Sequence, residues 1–183
     1  MPHIQLTEGV PGIRSLVIYR PDTGKPLYEL AQVLLRGESP LSQAERELIA
    51  TYVSAQNNCN FCTQSHAAAA RALFGPDRDV VDFTLSEYET APISEKLKAL
   101  LAIAGHVQAD ARTVSEADVA RAREHGATDR DIHDTVLIAA TFCMFNRYVD
   151  GLATLSPNDP AVYEPMGERL AQQGYALPAS NPT

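Results

Sequence analysis

Residues 42–75 read SQAERELIATYVSAQNN-C59-NF-C62-TQS-H66-AAAARALF-G75, and the fold is decided by how this stretch divides. Ser42 followed by Glu45 has the spacing of a capping box, so a helix is expected from Ser42 to about Gln56. Leu48, Ile49, Tyr52 and Val53 line one face of it, as on a buried amphipathic helix. The opposite strip, Glu47, Ala50, Thr51 and Ser54, is small apart from its glutamate, which predicts that a second helix packs there. Asn57 and Asn58 break the pattern. A further helix is expected from near Cys59 through the alanine run to Gly75, where Gly75-Pro76 stops it.

Working outward, Leu27, Leu30, Ala31, Leu34 and Leu35 recur at helical steps from Pro26 to Gly37. Helices are also expected over Ser94 to about Ala109, Ser115 to His125, and Asp129 to about Leu152. No persuasive alternating strand pattern occurs, so the fold class is all-α. Residues 1–26 hold Pro2, Pro11, Pro21 and Pro26 with three glycines. They are read as an extended amino-terminal arm that drapes over the core or a partner. A weak internal repeat links the halves. Arg71-Ala72, Gly75 and DRDVVD are echoed by Arg121-Ala122, Gly126 and DRDIHD, and Ser42, Leu48, Ala50 and Gln56 recur as Ser94, Leu100, Ala102 and Gln108.

With 183 residues, 45% apolar and 21% charged, the chain has the length and composition expected of one folded domain, residues 1–183. A net charge of -8 repels phosphate backbones and anionic lipid surfaces, so neither nucleic acid nor membrane is expected as a partner. The amino terminus lacks the pattern of a secretory signal, and no apolar run reaches membrane-spanning length. A cytoplasmic location is expected. A Cys-x-x-Cys within an odd count of three cysteines then points to redox or metal chemistry rather than to a stabilising disulfide.

At 100° per residue, Cys59, Cys62 and His66 fall on one helix face. Near a helix start, unpaired N–H groups and the positive dipole end favour thiolate, for Cys59 more than for Cys62. His66, one turn beyond Cys62, is placed to accept a thiol proton. Glu47 is placed to orient His66 if the helix pair 42–75 packs together. Cys143, inside VLIAATFCMF, is read as a core residue, and the other histidines are assigned no role.

These residues resemble the alkyl hydroperoxidase D and carboxymuconolactone decarboxylase-like superfamily, most closely its uncharacterised peroxidase-related branch. The resemblance is carried by R46-E47-L48-I49-A50, V53-S54-A55, C59-N-F-C62, H66-A67-A68-A69-A70-R71 and FNRYVDGL at Phe145 to Leu152. It implies an all-helical protomer, assembly into homo-oligomers (intertwined dimers, trimers or hexamers), and a peroxidase without a cofactor. Small hydroperoxides are the implied substrates, with a dithiol, lipoyl or thioredoxin-like reductant. By resemblance Cys62 is oxidised by peroxide, Cys59 donates a proton and then forms the disulfide, and His66 and Glu47 relay protons. The family's histidine just before the second cysteine is Phe61 here, and the decarboxylase branch lacks the cysteine pair. Two other readings of the residues stand beside this one. Cys59, Cys62 and His66 are three of the four ligands zinc needs, with the fourth from Glu47 or another subunit. Alternatively the chain is a non-catalytic assembly module.

Overall fold

The computed structural model describes residues 1–176. Every regular element among them is helical, and the helices run in the order α1 (Gly12–Tyr19), α2 (Pro21–Arg36), α3 (Gln43–Gln56), α4 (Asn60–Phe74), α5 (Val80–Glu87), α6 (Glu95–Asp110), α7 (Glu116–Glu124), α8 (Asp129–Gly151) and α9 (Glu164–Gln173). The helix starts follow their caps. Ser42 accepts from the Glu45 N–H while Glu45 returns to the Ser42 N–H, and Ser115 with Asp118 and Thr128 with Asp131 do the same. Each box satisfies two N–H groups that a helix start leaves unpaired.

α3 lies at the centre, packed against α4, α6 and α8. Its apolar face and its small-residue strip are both covered, with Leu48, Ile49, Val53, Glu47, Ala50, Thr51 and Ser54 all buried. The main core joins Leu35, Leu48, Ile49, Leu100, Ile103, Ile138 and Phe142. A smaller apolar cluster of Leu16, Cys59, Phe61, Cys62, Ala68, Val149 and Tyr163 surrounds the cysteines. The two segments of the sequence repeat meet in space: α3 packs on α6, and Gln108 Nε2 donates to Gln56 O and to Asn57 Oδ1.

The amino-terminal segment corrects the extended reading of residues 1–26. Residues 1–11 and Arg20 lack helix; α1 and the first residues of α2 occupy the rest. The breakers stand where a helix tolerates them. Pro11 is the N-cap of α1 and Pro21 is the first residue of α2, where a missing N–H leaves no bond unmade. Pro26 lies inside α2 and forgoes one backbone bond. The short segment before α1 is pinned by His3 N–H to Leu152 O and by Gly12 N–H to Leu155 O. α5 and α9 also lie outside the spans expected from periodicity; both are short, of 8 and 10 residues.

Candidate active site

The turn between α3 and α4 sets the cysteines. Asn58 adopts φ 57°, a left-handed conformation that asparagine tolerates better than most residues. The Asn58 N–H bonds Ala55 O and the Cys59 N–H bonds Ser54 O, the paired closure of a Schellman motif. Cys59 therefore ends one helix and caps the next, because its own carbonyl accepts the Thr63 N–H. Asn146 reinforces the turn from α8: its Oδ1 accepts from Asn57 Nδ2 at 2.8 Å and its Nδ2 donates to Ser54 Oγ at 3.1 Å.

Cys59 is fully buried and Cys62 is nearly so. Both thiols are free. The neighbouring Cys62 sulfur, together with burial, pushes the Cys59 thiol well above the usual range. The helix dipole alone favours Cys59 as the thiolate, and burial beside a second sulfur acts against it. A thiol beside a second sulfur and shut away from water tends to keep its proton.

Glu47 is wholly buried in α3 and is the hub of a second cluster. Its Oε2 lies 2.7 Å from His66 Nδ1, and its Oε1 accepts from Arg36 Nη2 at 2.6 Å and from the Tyr175 hydroxyl at 2.7 Å. Burial opposes its ionisation, but His66, Arg36 and Tyr175 together outweigh burial and hold the carboxyl below its ordinary value. Burial and the Glu47 charge push the Tyr175 phenol well above its own. A carboxylate only accepts, so the Tyr175 O–H and the His66 Nδ1–H both donate to it. This tautomer leaves the His66 Nε2 lone pair available as a base. The imidazole is also held by the edge of Phe142, with centroids 4.6 Å apart, and by the stacked Tyr175 ring at 6.0 Å.

The two clusters meet at a cavity of about 50 Å³, lined among others by Phe61, Cys62, His66, Phe142, Phe145 and Tyr175. Cys62 and His66 face it; Cys59 stands behind Cys62 and is absent from its lining. The structure thus brings together the four residues singled out in the sequence, Glu47 hydrogen-bonded to His66 and Cys59 beside Cys62. Arg36 and Tyr175 were not legible in the sequence, since they lie 11 and 128 positions from Glu47 with no spacing pattern to join them. Phe61 packs against Gly12 and tilts toward Tyr163, so it serves as an apolar plug beside the sulfurs.

The zinc reading loses its ligand set. Among the described residues no three His, Cys, Asp or Glu side chains are grouped to hold a metal, and both Glu47 oxygens are already engaged. No helix of the described residues is long and apolar enough to cross a membrane.

The carboxymuconolactone decarboxylase family model matches residues 21–81, the segment holding Arg36, Glu47, both cysteines and His66. Among solved structures, the chain is similar to the alkylhydroperoxidase AhpD core of an uncharacterised peroxidase-related protein from Ralstonia eutropha JMP134, with 30% identity and a TM-score of 0.76. That alignment covers 87% of this chain and 82% of the other. An uncharacterised peroxidase-related protein from Silicibacter sp. TM1040 aligns with 31% identity and a TM-score of 0.76, over 85% of this chain and 79% of the other. A protein of unknown function from Agrobacterium tumefaciens shares the fold, with 20% identity and a TM-score of 0.68, over 79% of this chain and 97% of the other. No curated protein sequence matches.

Proposed function

The chain belongs to the alkyl hydroperoxidase D and carboxymuconolactone decarboxylase-like family, in its peroxidase-related branch, and from that premise we propose that it is a dithiol peroxidase reducing small organic hydroperoxides at Cys62. The observation that carries this reading is the placement of Cys62 and His66 on one small cavity, with Cys59 buried beside Cys62.

His66 Nε2 takes the Cys62 proton, and a hydrogen bond from Cys59 stabilises the resulting thiolate. The thiolate attacks the distal peroxide oxygen. An S–O bond forms as the O–O bond breaks, and the alkoxide leaves with the proton held by His66, as an alcohol. Cys62, oxidised by two electrons to a sulfenic acid, is attacked by Cys59; the S–S bond forms and hydroxide departs with the Cys59 proton, as water. A lipoyl, thioredoxin-like or other dithiol reductant returns both thiols and is itself oxidised to a disulfide. Glu47 holds the His66 tautomer through Nδ1, and Arg36 and Tyr175 hold Glu47. Assembly into homo-oligomers belongs to the same proposal. An exposed apolar strip on α8, with Leu137 and Met144 38% and 44% exposed, supports it.

Stopped-flow mixing of the reduced protein with tert-butyl hydroperoxide tests the reading. Wild type is expected to consume one equivalent and to yield a Cys59–Cys62 disulfide by mass spectrometry. Cys59→Ser is expected to stop at a Cys62 sulfenic acid that dimedone traps, and Cys62→Ser to lose the fast phase. A Cys62→Ser protein reacting at the wild-type rate removes the assigned nucleophile.

A further inference from the structure

The cavity lined by Cys62 and His66 is largely apolar, with Ile13, Leu27, Ala31, Met166 and Leu170 in its wall, yet it also includes two arginines, Arg14 and Arg169. These come from opposite ends of the chain, Arg14 from α1 and Arg169 from α9. They converge. The charges of both act on the phenol of Tyr28, which lines the same cavity from α2.

Among the described residues, most arginines elsewhere in this acidic chain are compensated, Arg121 being an exception, and Arg78 meets Glu164. Arg20, Arg36, Arg71, Arg112, Arg123 and Arg130 each meet a carboxylate, and Arg46 and Arg147 are held by backbone carbonyls. Among the described residues, neither Arg14 nor Arg169 has an acidic partner within 4.0 Å or a side-chain hydrogen bond. Arg14 is exposed and Arg169 half-buried, so one cation stands in water and the other partly in the wall. Two uncompensated guanidinium groups and a phenol on an apolar pocket form a site for one anionic group at the end of an apolar body.

We propose that the cavity selects an organic hydroperoxide bearing a carboxylate, which Arg14 and Arg169 bind while the apolar body lies along Leu27, Ala31 and Met166 and the peroxide reaches Cys62. This rests on the peroxidase reading above and adds its substrate class. A net charge of -8 repels anions from the molecule as a whole. The arginine pair sets two cationic side chains at the wall of this one pocket.

The test compares a short-chain hydroperoxy carboxylic acid with its methyl ester, which differ in charge and share the reacting group. Rate constants for oxidation of the reduced full-length protein are measured by stopped flow, with tert-butyl hydroperoxide in parallel. Wild type is expected to favour the acid by about tenfold, the size of a single net charge-assisted bond. That ratio is expected to shrink with added salt, and to fall toward unity in Arg14→Gln and Arg169→Gln. Equal rates for acid and ester, or a ratio that both variants retain, overturn the proposal and leave the peroxidase reading standing. Failure of all three peroxides to oxidise Cys62 removes both together. In a further arm, the oxidised protein is reduced with dihydrolipoate and with dihydrolipoamide. An arginine-dependent preference for the acid there, without one among the hydroperoxides, assigns the arginines to the reductant and overturns the proposal.

Discussion

Glu47 shows how one residue changes character between chain and fold. On the helix pattern it is a single acidic position on a small-residue strip; in the molecule it is a buried anion bonded to Arg36, His66 and Tyr175. Such a group is held by its partners, and they by it. Glu47→Gln keeps the shape but leaves the Arg36 guanidinium, 6% exposed, without a counter-charge, at an expected cost of about 3–5 kcal/mol. Thermal unfolding checks this, and the acid limb checks the cause. The folded carboxyl titrates below its ordinary value of 4.5, so its stabilisation is complete above about 4.5 and fades as pH falls through the folded pKa. The gap in stability between wild type and Glu47→Gln is therefore expected to be constant near neutrality and to close in acid below that point. A gap that stays constant there would show that the charge is not what stabilises.

At the scale of the element, the site depends on how closely α9 approaches α4. Gly167 makes that approach possible: a Cβ there would lie 2.4 Å from the Ala68 backbone carbonyl carbon, nearer than atoms can pack. α9 then contributes Met166, Arg169 and Leu170 to the cavity, and the turn after it contributes Tyr175, whose N–H donates to Gln32 Oε1 at 2.7 Å. Gly167→Val is expected to push α9 off α4 and to cost about 1–3 kcal/mol from overpacking. It is also expected to slow Cys62 oxidation, because Tyr175 leaves Glu47 when the helix moves. Chemical denaturation and the stopped-flow assay read the two effects separately, and a stable variant with wild-type kinetics would show that α9 does not support the site.

For the whole molecule, the exposed apolar face of α8 carries the expectation of assembly. Leu137 and Met144, two turns apart, are solvated in the single chain, and burying such a strip against a second copy is favourable. Sedimentation velocity is expected to give a mass above the 19.9 kDa of one chain, and Leu137→Glu with Met144→Glu to reduce it to that value. A monomeric wild type would refute the oligomer. The helical class, the capping box at Ser42, the helix start at Ser115 and the closeness of Cys59 to Cys62 were legible in the chain alone, because each depends on neighbours within about one or two helical turns. The amino-terminal helices were not, since proline and glycine read as breakers until their position at helix starts is known. Arg36, Tyr175 and the Arg14–Arg169 pair came only with tertiary structure. Which distant cation or phenol meets a buried carboxylate follows from burial and from contacts between segments remote along the chain, and no local pattern of residues encodes it.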